Sequence, residues 1–160
     1  MADYILLLPS VIGLILFPRL AAVVNRSEKL REAKKAASGT ALALVPVLVF
    51  AAVAARPVVH MLFGSAFLPA VGPFLWLIPG ILTMGVQIPL VQFLNGIGYP
   101  SLLVWLWFCS TFINVALNFW AIPRFGISGA SGVSSVSYSL VLLGVLFIIY
   151  KKYQLEPERE

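Results

Sequence analysis

Two uncharged apolar runs, residues 101–122 and 127–150, are joined by Pro123-Arg124-Phe125-Gly126. Each run exceeds the roughly 20 residues an α-helix needs to cross about 30 Å of hydrocarbon. Neither alternates in the way barrel strands do. Backbone inside lipid must satisfy its own hydrogen bonds, so both runs read as helices. The junction therefore predicts an antiparallel hairpin. Pro123 stops the first helix, Arg124 stays at the membrane surface, and Gly126 gives the backbone the freedom to reverse.

The remainder of the chain has the same character. Of 160 residues, 61% are hydrophobic and 11% charged, where a soluble domain carries about 25% charged residues; mean hydropathy is +0.99. Spans are predicted near 4–24, 40–63, 73–95, 101–122 and 127–150, followed by a charged tail at 151–160. The fold class is all-α, a polytopic membrane helix bundle with about five transmembrane helices. Met1-Ala2-Asp3 places no basic residue before the first run, so that run is read as a retained span and not as a signal peptide. Prolines at 9, 18, 46, 57, 73, 79 and 89 predict interrupted helices. Arg56-Pro57 is expected to break the second span, leaving 58–63 as an interfacial turn, and 25–38 is expected to be a separate surface helix against anionic headgroups.

The formal net charge of +5 sits in segments flanking the spans and lacks a soluble platform. It is therefore a topological signal and does not point to nucleic acid. Arg19, Arg26, Lys29, Arg31, Lys34, Lys35, Lys151, Lys152 and Arg159 fall on one side, Arg56 and Arg124 on the other. The positive-inside rule puts the first group, and with it the C-terminus, in the cytoplasm, as expected of a multi-pass protein of the cell inner (plasma) membrane. Cys109 and His60 are the single residues of their types, which excludes an intrachain disulfide and a cysteine or histidine-pair metal site. No Ser-His-Asp set, acidic cluster or phosphate-cradling glycine loop is present, so the chain is not expected to be an enzyme, and neither a metal nor a cofactor is expected.

Polar residues inside the spans carry what functional information there is. Trp107, Ser110, Thr111, Asn114 and Asn118 recur at helical spacing, as do Ser128, Ser131, Gly132, Ser135 and Ser139. Both stripes are expected to face protein or a water-filled path and not lipid, either as packing or as the wall of a substrate path. Thr83 and Gln87 share a helical face and are candidates to extend that lining.

The order of motifs carries a further resemblance. Leu16-Phe17-Pro18-Arg19-Leu20, Glu28-Lys29-Leu30-Arg31, Leu62-Phe63-Gly64, Leu94-Asn95-Gly96-Ile97-Gly98, then Asn114 and Leu117-Asn118, and finally Ile122-Pro123-Arg124-Phe125-Gly126-Ile127-Ser128-Gly129-Ala130 together resemble the C-terminal part of the polysaccharide or O-antigen flippases in the multidrug/oligosaccharidyl-lipid/polysaccharide exporter superfamily. The resemblance implies a partial second lobe of a two-lobed transporter. Such a transporter moves an undecaprenyl-diphosphate-linked glycan across the bilayer by alternating access, in company with a missing N-terminal lobe or a second chain. On that reading Gln87, Asn114, Asn118 and Ser135 would meet sugar, and Arg19 or Arg56 the diphosphate. A related drug or lipid exporter is a second reading, and a non-transporting assembly partner a third.

Overall fold

The computed structural model of the protein describes residues 25–155; Arg19 and the predicted span 4–24 lie outside the described residues. Among the described residues every long element is a helix, and three helices are long and apolar enough to cross a membrane. The third is folded back on itself, so four helical segments lie side by side.

Helix α1 runs Arg26–Phe63. Asn25 caps it with its side-chain oxygen, which accepts from the backbone N–H groups of Ser27 at 2.8 Å and Glu28 at 3.5 Å. Glu28 in the first turn complements the helix dipole and pairs with Arg31 at 3.6 Å. The predicted surface helix at 25–38 is not a separate element: it forms the first turns of α1. Gly39 weakens that stretch by about 1 kcal/mol, but Leu30, Ala33 and Ala37 before it and Leu44 after it are buried in the core, and packing prevails. Pro57 does not end the helix either. A proline removes one N–H, and in a bilayer the helix is kept because leaving it would strand further backbone groups without partners, while neighbouring helices and small local adjustments answer the freed carbonyl. α1 stops only at Gly64, where φ is 81° and the glycine N–H bonds the His60 carbonyl at 3.0 Å.

A short 3₁₀ turn, Ser65–Ala70, leads into α2, Val71–Gly96. α2 passes through Pro79 and Pro89 without interruption, again contrary to the broken helix expected from its prolines. Its end is closed by the Ile97 and Tyr99 N–H groups on the carbonyls of Phe93 and Leu94, with Gly98 at φ 86° making the turn.

Helix α3 covers Pro100–Leu155 and reverses at Gly126, whose φ of 57° and ψ of −141° lie outside helical space. The hairpin is thus real, but Pro123 does not stop its first arm. Pro123 lies inside the helix, since its ring holds a helical φ; only the glycine three residues later adopts the conformation that turns the chain. The two arms, 100–125 and 127–155, are antiparallel. Ser110 bonds the Ser137 carbonyl, a Cβ added at Gly144 would meet Leu106, and one added at Gly129 would lie 2.6 Å from the Ala121 carbonyl oxygen.

α2 lies between α1 and the hairpin. Against α1 it runs antiparallel, with Ile81 packed on Leu44 and Leu48. Against the second arm of α3 it runs parallel, with Gly72 near Ser128, Trp76 near Gly132 and Gly80 on Ser135. At the end of the molecule carrying Leu30 and Ala33, all four segments meet in one core that includes Phe93, Leu94, Leu103, Val141 and Val145. Towards the hairpin tip a groove opens instead, between α2 and the first arm. The outward faces, among them Leu42, Phe50, Val53, Phe112, Phe119 and Phe147, are apolar and exposed, as a lipid-facing surface requires.

Candidate functional site

The second arm of α3 is where the polar chemistry converges, and its faces differ. On the side of α2, the buried Ser135 hydroxyl donates to the Trp76 carbonyl at 2.6 Å and accepts from the Gly80 N–H at 3.1 Å. Trp76 carbonyl and Gly80 N–H are the acceptor and donor that close one turn of an unbroken helix. A foreign side chain therefore sits on a rung of the α2 ladder, beside Pro79. The approach depends on Gly80: a Cβ there would lie 2.8 Å from the Ser135 Cα. Ser139 turns its hydroxyl back to the Ser135 carbonyl at 2.8 Å.

On the side of the first arm, a chain of side-chain bonds runs along the hairpin. Asn118 Nδ2 donates to Asn114 Oδ1 at 3.0 Å, Asn114 Nδ2 donates to Ser137 Oγ at 3.0 Å, and Ser137 Oγ donates to the Val133 carbonyl at 2.9 Å. Ser110 adds its hydroxyl to the Ser137 carbonyl at 3.3 Å. Every bond points the same way, and the head of the chain, Asn118 Oδ1, is a buried acceptor with no partner. An unmet acceptor of this kind is costly in a low-dielectric setting and needs a donor from elsewhere.

The sequence-predicted residues are thus brought together only in part. Asn114 and Asn118 share one network, but their partner is Ser137, which lies off the serine stripe. The stripe itself, with Ser128, Gly132 and Ser135, packs against α2 and not against the first arm. Gln87 is buried in α2, 1% exposed, with Oε1 unpartnered; no hydrogen bond links it to the hairpin network. Thr83 bonds the Gly80 carbonyl of its own helix at 3.0 Å. Arg56 is exposed on α1, on the far side of α2 from the hairpin. No group of three or more metal-ligating side chains occurs among the described residues.

The groove near the tip measures about 780 Å³ and is walled by Trp76, Pro79, Leu117, Trp120, Phe125 and Leu140. Arg124 stands at its rim, with the guanidinium 4.8 Å from the Trp120 ring centroid and Nη1 donating to the Trp120 carbonyl at 3.1 Å. Sequence reasoning placed Arg124 at the surface but did not find the groove. Its trace was the pair Trp120 and Phe125 just before the glycine turn.

No curated protein and no solved structure matches the chain. The model of a family described as polysaccharide biosynthesis protein matches residues 3–72, a stretch that includes α1 and ends as α2 begins. The apolar helices mark the chain as a membrane protein, and over those residues it is similar to proteins of polysaccharide biosynthesis.

Proposed function

We propose that the chain is part of a transporter that carries a lipid-linked oligosaccharide across the inner membrane by alternating access, with further helices closing a path against the Asn114–Asn118 seam. The family match over 3–72 supports the polysaccharide context. The observation that carries transport is the polar seam ending on the unpartnered Asn118 Oδ1. A glycan presents many hydroxyl donors, and a membrane seam headed by a free acceptor is suited to meeting them one after another without holding any of them tightly. Ser135 is not part of this path, because α2 occupies its hydroxyl in both directions. Arg19 and Arg56 remain candidates for the diphosphate, and the cytoplasmic C-terminus belongs to the same proposal.

Two measurements test it. Cells lacking the chain should accumulate the lipid-linked repeat unit on the cytoplasmic leaflet and lose the surface polymer; an unchanged polymer level sinks the proposal. In a Cys109→Ser background, cysteine at position 118 should react with a small polar maleimide in the intact membrane. Protection at 118 alongside reactive loop controls would favour the third reading, the non-transporting assembly partner, in which a partner helix supplies the missing donor and the seam is assembly glue.

A further inference from the structure

The groove at the hairpin tip offers a different chemistry from the seam. It is almost wholly apolar; of the serines that line it, Ser135 is committed to α2 and Ser139 to the Ser135 carbonyl, which leaves the Ser128 hydroxyl near the tip. It has mainly dispersion contacts to give. At its rim the reverse holds. Arg124 has five donors in a planar fork and spends one on the Trp120 carbonyl, while the face of the guanidinium lies over the Trp120 ring that also walls the groove. Phe125 packs on the same ring at 5.8 Å between centroids, so ring, cation and groove form one assembly. The acidic side chains among the described residues, Glu28 and Glu32, stand at the opposite end of the bundle. Among the described residues the cation at the rim therefore has no acidic side chain beside it.

We infer that this groove is a binding site for an anionic phospholipid, with one acyl chain lying between α2 and the first arm of α3 and the phosphate pairing with Arg124. The pairing of chemistries is what identifies the occupant: a hydrocarbon slot about one chain in capacity opens next to a planar cation that favours bidentate contact with phosphate oxygens, at a helix end where an arginine sits at headgroup level. The tryptophans contribute the aromatic belt that marks this depth. This inference does not rest on the transport reading and stands or falls separately from it.

The test uses the full chain in vesicles with Trp105 and Trp107 replaced by phenylalanine, so that Trp76 and Trp120 report on the groove. A minor fraction of bromine-labelled phosphatidylglycerol in unlabelled phosphatidylcholine is compared with the same fraction of bromine-labelled phosphatidylcholine. The anionic lipid should be enriched at the tryptophans about fivefold, which is the roughly 1 kcal/mol that one basic residue gains at an anionic surface converted at 1.4 kcal/mol per decade. Arg124→Gln should abolish the preference and Arg124→Lys should keep part of it. Val136→Phe, which fills the groove from an exposed position, should remove the extra quenching while leaving Arg124 in place. Equal quenching by the two lipids overturns the inference. So does a preference that survives Arg124→Gln, and so does shielding of both tryptophans from every labelled lipid, which would mean that a protein segment fills the groove.

Discussion

The two polar faces of the second arm of α3 use the same residue types to opposite effect. Against α2, Ser135 both donates and accepts, and glycine at position 80 brings the backbones into contact, so that this hydroxyl has nothing left over; the unmet Gln87 Oε1 on α2 takes no part in that contact. Against the first arm, Asn118, Asn114 and Ser137 form a directed chain whose head is unmet. The first face is closed and serves as a joint. The second has capacity left for something the described residues do not contain. In a bilayer, then, counting hydroxyls and amides says little; what separates a joint from a site is whether the last acceptor is answered.

Substitutions can break this contrast or make it sharper. The largest effect should come from Gly80→Leu. Its side chain would be driven into the Ser135 backbone, and overpacking of about 1–3 kcal/mol adds to the loss of both Ser135 bonds; a fall in thermal unfolding temperature in detergent, larger than for any substitution on the seam, is the expected readout. Gly126→Ala should follow, at roughly 1–3 kcal/mol for forcing a Cβ into that backbone conformation, again read by thermal unfolding. Ser135→Ala should cost about 0.6 kcal/mol and no more than about 1.7, the range of membrane helix–helix hydrogen bonds. Asn118→Leu should be close to neutral in stability, since it loses one bond to Asn114 but also removes a buried unmet acceptor. Its effect should appear in surface-polymer level instead. Should Asn118→Leu prove more destabilising than Ser135→Ala in unfolding titrations, the seam would be a joint as well and the contrast would fail.

Much of the architecture could be read from residue order. The uncharged runs on either side of Arg124 and Gly126 required a helical hairpin; of the stripe Trp107, Ser110, Thr111, Asn114 and Asn118, the residues Ser110, Asn114 and Asn118 did face inward along the first arm, whereas Thr111 is exposed and bonds the Trp107 carbonyl of its own helix. What periodicity does not supply is the identity of the neighbour. It fixes a direction around one helix axis, so the serine stripe of the second arm was legible while its partner was not; it met α2. A signal for that pairing was present, because Gly72 and Gly80 on α2 are spaced to match Ser128, Gly132 and Ser135, and small residues in step on two helices mark close packing. Ser137 lay off the stripe and gave no signal. The continuity of α1 and α2 through their prolines was hidden for a physical reason. The rule that proline ends a helix reflects its missing N–H and the clash of its ring with the preceding turn; in a bilayer, leaving the helix would strand still more backbone groups without partners, so the chain stays helical and neighbours answer the freed carbonyl.

The turn at Gly126 also determines where this chain can change in length. Both arms are helical right up to it, so one residue inserted into the second arm upstream of Ser135 would rotate everything beyond it by about 100°. That single step would swing Ser137 away from Asn114 and Ser135 away from Gly80 together, opening both faces at once. The connections at 64–70 and 97–99 carry no such coupling. Length variation in related chains should therefore collect in those two connections and spare the hairpin.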